Sequence, residues 1–192
     1  MQDDWKHRLG HALRKVRPGV AALASSKWSG FLPFGVRVSS PAFENDKPIP
    51  VRYSGDGEGI SPPLRWENVP SGAQSLVLLV EDADIPSFRP LTHLIVHSIP
   101  PGKTRFEEGE IPFRLRGFSA EGWGCGRNAL GRPGWTPPNP PPGHGPHRYA
   151  FQVFALDRAL DLGEAPGRTA LRDAMAGHVL GAGLLVGTYE RP

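Results

Sequence analysis

Cysteine is almost missing from this chain. Cys125 is the only one in 192 residues, so no internal disulfide can form and no cysteine-based zinc site can be built. Flanked by Gly124 and Gly126, with no histidine beside it, Cys125 reads as an unreactive small side chain in a loop. No apolar run approaches the roughly 18 to 20 residues of a membrane span. The run Val20 to Ala24 is also shorter than the apolar core of about 7 to 15 residues that a secretory signal needs. A cytoplasmic protein is the expectation. A broad basic face is missing as well. Residues 1–36 carry six lysines and arginines against two aspartates, a surplus of +4, which leaves −1 of the total +3 for the rest. Such a nearly neutral body argues against nucleic-acid binding. Gly122, Gly124 and Gly126 alternate without following a strand or opening a helix, so no dinucleotide or phosphate loop is indicated. No internal repeat occurs.

What is abundant is turn chemistry: 24 glycines and 22 prolines punctuate long, patterned apolar segments. This reads as an all-β domain over residues 34–192, preceded by a basic helical arm over residues 1–33. In the arm, Asp3 or Asp4 is placed to cap an amphipathic helix over residues 4–16. Its apolar positions are Trp5, Leu9, Ala12, Leu13 and Val16. Such a helix packs on its own domain or on a second copy, a membrane-surface element being the alternative. Strands are expected at 34–38, 51–53, 75–80, 91–99, 148–156 and 184–189, with a helix over 169–179 stopped by Gly181. The 148–156 strand is apolar on both faces, which places it centrally in a covered sheet.

Three polar residues stand at strand ends. Asp82 continues the face of Leu76, Leu78 and Val80, while His93 opens a strand running through Ile95, His97 and Ile99. The rigid turn Pro140 to Pro146 delivers His147 to the start of a strand through Tyr149 and Phe151. If these ends converge, one carboxylate and two imidazoles meet at an apolar rim. That set suits a small anion, because a carboxylate orients an imidazole and strengthens its hydrogen bond to a phosphate or carboxylate oxygen. The same trio could hold a divalent metal or supply acid and base to a hydrolase. No nucleophile is evident beside it, and His144 with His147 is a weak metal spacing. Blander roles suit the neighbours: Asp84 as a turn former, His97 as a hydrogen-bonded sheet residue, His178 as a core or helix-end histidine. His144 is balanced between a solvated loop position and the site.

These motifs carry a resemblance. Asp82 to Pro86, then His93, then Gly145 to Tyr149, together with Ser39 to Phe43, Ser61 to Trp66 and Leu185 to Arg191, resemble the phosphatidylethanolamine-binding protein family in its bacterial Raf-kinase-inhibitor-like branch. The resemblance covers about residues 36 to 191. It implies an antiparallel β-sandwich with a helix near the C-terminus. It also implies a small anion pocket whose ligand-binding residues would be Asp82, Pro86, His93, Gly145, His147 and Tyr149. No cofactor, metal or catalytic residue follows from it. The implied function is non-catalytic binding of a phosphate-type or carboxylate head group, with a partner protein modulated through the rim and a homodimer as the common assembly. Ala83 and Leu91 depart from the family pattern, Leu91 standing where an aromatic wall is common, and this changes the head group that would fit.

Overall fold

A computed structural model describes residues 4–27 and 35–191. Asp3, Phe34 and the side chain of Asp4 lie outside the described set. Two sheets form the body. The small one contains β1 (Arg37–Ser39), β3 (Leu64–Glu67) and β6 (Arg105–Phe106) in the order β1-β3-β6. The large one has the order β2-β9-β8-β4-β5-β7. It is built from β2 (Lys47–Pro48), β4 (Ser75–Asp82), β5 (Leu91–Ile99), β7 (Gly124–Gly126), β8 (His147–Leu156) and β9 (Val179–Tyr189). Every pairing is antiparallel except β2 with β9, where a two-residue edge strand runs parallel. The α-helices are α1 (Asp4–Leu13) and α2 (Arg168–Met175).

The central strands β4 and β8 are buried along nearly their whole length because both faces of the large sheet are covered. On one face, Leu76, Leu78, Val80, Phe151 and Val153 pack against Val38, Trp66 and Phe106 of the small sheet. On the other, Val77, Leu79, Phe154 and Leu156 pack against Leu171 and Met175 of α2. Period-two alternation in β4 therefore sends Asp82 toward the sandwich core and Glu81 toward α2. Glu81 is fully buried and is satisfied there by Arg168, by the Gln152 amide at 2.9 Å and by the Ala24 backbone N–H at 2.9 Å.

Several elements depart from expectation for identifiable reasons. Residues 51–53 form a 3₁₀ turn after Pro50 in place of a strand. The helix α2 ends at Met175, because Gly177 adopts φ 82° and turns the chain so that β9 begins at Val179. Cys125 lies in the edge strand β7 and not in a loop. A Cβ at Gly126 would meet Ile95 side-chain atoms at 2.7 Å, so glycine is what lets this strand close on β5. The helix α1 packs through Gly10, where a Cβ would stand 2.1 Å from the Pro142 carbonyl oxygen. Trp5 and Leu9 are left 61% and 50% exposed, so the predicted apolar stripe faces outward.

Replacing Glu81 with alanine would strand Arg168 and leave the Ala24 N–H without its acceptor. The variant Glu81→Ala is expected to lose about 3 to 5 kcal/mol in chemical denaturation. It should also speed amide hydrogen exchange at Ala24.

Candidate functional site

The ends of β4, β5 and β8 meet at a cavity of about 180 Å³ lined by Asp82, Leu91, His93, Thr136, Asn139 and Tyr149, with Ile85, Leu130 and Pro137 completing its wall. Asp82 and Tyr149 are direct partners across β4 and β8 and so share a face. His93 reaches that face by a register shift. Strict alternation would give it the side of Ile95, which packs toward α2, but pairing of β5 with β4 moves from Leu94 opposite Val80 to Thr92 opposite Glu81. The extra residue of this bulge is His93, turned inward until its ring meets Tyr149 edge-on at 5.1 Å.

The Thr136 carbonyl oxygen lies 2.8 Å from His93 Nδ1, so this nitrogen donates and the lone pair sits on Nε2. Burial pushes the His93 pKa below its usual value, against the pull of Asp82 and Thr136, and the ring is neutral at pH 7. Burial, reinforced by Asp82, pushes the Tyr149 pKa far up and keeps its phenol protonated. Neither His93 Nε2 nor the Tyr149 hydroxyl has a partner, although both are buried. Two orphaned polar atoms on one small cavity point to a ligand that completes them. Asn128 holds this wall in place by bonding the Gly134 carbonyl oxygen and the Thr136 hydroxyl.

His147 is behind the cavity. Its Nδ1 is 2.7 Å from Asp82 Oδ2 and its Nε2 is 2.7 Å from His144 Nδ1, while His144 Nε2 reaches the Leu13 carbonyl oxygen at 2.9 Å. A carbonyl only accepts, so His144 carries its proton on Nε2. Burial lowers the His144 pKa and keeps it neutral, so its Nδ1 accepts and His147 Nε2 donates. On its other side His147 is tied to Asp82 through the Nδ1 contact. The other Asp82 oxygen accepts the Asp84 N–H at 2.8 Å, so the polar side-chain atoms of Asp82, His147 and His144 are all satisfied. Of the predicted six residues, the structure brings Asp82, His93 and Tyr149 to the cavity and places His147 directly behind. Pro86 follows Ile85 in the half-buried turn beyond β4 and does not line the cavity. Gly145, with φ 87°, sits nearer Arg17.

Asp84 has a larger role than a turn. Although burial opposes its ionisation, the Arg148 side chain and backbone outweigh this and hold its carboxyl low. Arg148 binds it through Nε at 2.7 Å and Nη2 at 2.7 Å, and Arg17 Nη1 approaches at 3.4 Å. Arg17 also donates to the Pro146 and His144 carbonyl oxygens, each at 2.7 Å. The stretch from Leu13 to Ser25 thus seals the rear of the site. Neither this seal nor Asn128 and Thr136 had a periodic signal to betray it, since they act through single contacts and not through a repeating face. Cys125 is buried, and burial pushes its thiol up to about 12, which removes it as a nucleophile. His97 bonds Ser98 at 3.1 Å and His178 bonds Asp157 at 3.0 Å.

Truncating Arg17 to alanine removes three contacts to the His144 to His147 turn and Asp84. The expected cost is about 1.5 to 3 kcal/mol in urea denaturation. The His144 ring proton at Nε2 should then exchange faster with water.

Residues 39–190 match the sequence profile of the phosphatidylethanolamine-binding protein family. A UPF0098 protein of Methanothermobacter thermautotrophicus is 42% identical over 158 residues, which is 81% of this chain and 99% of that protein. The solved structure of a phosphatidylethanolamine-binding protein homolog of Chlamydia trachomatis, CT736, is 36% identical. It superposes with a TM-score of 0.73 over 83% of this chain and 100% of its own. YbcL of Escherichia coli shares the fold at 23% identity, with a TM-score of 0.74 over 82% of this chain and 99% of its own. The bulged β5 histidine, the β4 carboxylate and the β8 tyrosine are thus set in the fold of those relatives, and this chain belongs to the phosphatidylethanolamine-binding protein family.

Proposed function

We propose that the chain is a non-catalytic binding protein whose Asp82, His93 and Tyr149 cavity takes one small anionic head group, of phosphate or carboxylate type. The observation that carries this reading is the pair of buried, unpartnered polar atoms, His93 Nε2 and the Tyr149 hydroxyl, on one cavity of about 180 Å³. Tyr149 donates to the anion. His93 joins as a second donor when it takes up a proton, and the anion repays the cost of charging a buried imidazole. Asp82 lines the same cavity without repelling the ligand, because its oxygens are engaged by His147 and the Asp84 N–H. With two charge-assisted bonds of about 1.5 to 3 kcal/mol each and aliphatic walls at Ile85 and Leu91, affinity falls in the millimolar to micromolar range. Leu91 offers no ring face to an ammonium group, which favours the anionic part of a head group over its amine.

A hydrolase built on the same cluster would need His147 to act on the ligand, yet both its nitrogens are engaged within the protein and it is fully buried. We also treat residues 1–33 as an arm added to the 34–192 domain. The homodimer and the modulation of a partner protein belong to this proposal too, with the outward Trp5 and Leu9 as the first surface to examine by light scattering.

Calorimetric titration with sulfate, which does not itself titrate near neutrality, tests the pocket. Since His93 is neutral when the site is empty and protonated when it is filled, one proton enters with each anion. Affinity should therefore rise as pH falls from about 8 to 6, by at most about tenfold per unit. A pH-independent affinity would count against the reading. Tyr149→Phe should weaken binding about tenfold or more while leaving the fold intact by circular dichroism.

A further inference from the structure

On the opposite face of the large sheet lies a second cavity, a groove of about 430 Å³ between residues 21–26, the turn joining β4 to β5 and the first turn of α2. Its charged lining is entirely basic: Arg89, Arg168 and Arg172, with no acidic side chain among the residues that form it. Arg168 is neutralised from behind by the buried Glu81. Among the described residues, neither Arg89 nor Arg172 has a carboxylate within salt-bridge distance, and the Nε of Arg172 is buried without an acceptor. An orphaned guanidinium donor is costly to keep, because the desolvation of a charged donor is not recovered until an acceptor arrives. At the rim, Phe88 is 97% exposed, an unusual placement for a large apolar ring beside arginines.

We propose that this groove binds a phosphomonoester dianion, with Arg89 and Arg172 clamping the phosphate and Phe88 covering the organic part of the ester. Two uncompensated guanidiniums match a double negative charge, and their forked donors fit phosphate oxygens in pairs. The buried Arg172 Nε gains the acceptor it lacks. Arg168, held by Glu81 and reaching the Ala22 carbonyl oxygen at 3.3 Å, serves as the wall that fixes residues 21–26 against α2. Part of the groove is made by the segment before residue 39, where the family profile begins, so this site goes with the N-terminal extension and not with the family domain alone. It shares no lining residue with the Asp82, His93 and Tyr149 cavity.

Phenyl phosphate and phosphatidic acid vesicles carry the same group on a soluble and a membrane-bound body, and both are tested on the full chain. Nuclear magnetic resonance titration with phenyl phosphate should shift the backbone amides of residues 21–26, 88–89 and 168–172. The double variant Arg89→Gln with Arg172→Gln should weaken this binding about tenfold or more, equivalent to about 1.4 kcal/mol, while Tyr149→Phe leaves it unchanged. Arg89→Gln alone, at an exposed position, should give a smaller loss if the double variant does not fold. Vesicle cosedimentation that requires the same arginines would identify the lipid as the source of the phosphate, and binding of phenyl phosphate alone would identify a soluble ester. Shifts confined to His93, Thr136 and Tyr149, or undiminished groove binding by the arginine variants, would overturn the proposal. Because the two cavities are read by separate amides, loss of binding at one leaves binding at the other measurable.

Discussion

Three carboxylates buried within four residues at the end of β4, Glu81, Asp82 and Asp84, are the constraint on which the rest of the molecule turns. An ionised carboxylate in a dry interior costs several kcal/mol unless it is paired and fully hydrogen-bonded. The chain meets that demand in three directions. Glu81, on the helix side, takes Arg168 of α2, Gln152 of β8 and the Ala24 amide. Asp82, on the sandwich side, takes His147. Asp84, just past the strand, takes Arg148 with Arg17 beside it. All three carboxylates are tied to β8, and Glu81 and Asp84 also hold α2 and the N-terminal segment, so the place where these elements converge is set by electrostatics as well as by apolar burial.

The functional geometry follows from this arrangement. With Asp82 occupied by His147 and the Asp84 amide, the cavity in front of it is left with two incomplete groups, a phenol that donates and an imidazole waiting for a proton. In the function proposed above, a small anion would complete a network that the protein has already closed on its other side. The N-terminal segment contributes by removing freedom: Leu13 fixes the His144 tautomer, and that tautomer fixes which nitrogen of His147 donates. Backbone atoms far from the cavity thereby decide the hydrogen-bonding state of the residue behind it. On the reverse face, the same strand end leaves arginines with fewer acceptors than donors, and the surplus charge lines a groove.

Much of this was legible in order and period. The all-β architecture, the central position of β8, the length of β5 and the existence of α2 followed from alternation and turn residues, because burial on two faces leaves an apolar strand with no polar side to show. Counting in twos put Asp82 on the face of Val80 and Tyr149 on that of Phe151. His93 stands at the cavity as expected, but the bulge that turns it inward depends on how β5 registers against β4 and leaves no mark on β5 itself. The stripe of α1 was misleading: close approach at Gly10, and not apolar periodicity, selects the packed face. Pro86 and Gly145 shape turns at the border of the site without reaching its cavity.

The sequence by itself determined the architecture, the family and the residue types at the strand ends, because periodicity and turn chemistry are local and survive in one dimension. Tertiary structure alone decided which polar atoms remain without partners. Hydrogen-bond satisfaction is settled by atoms distant in sequence, Leu13 with His144, Thr136 with His93 and Glu81 with Ala24, while His93 Nε2, the Tyr149 hydroxyl and Arg172 Nε are left open.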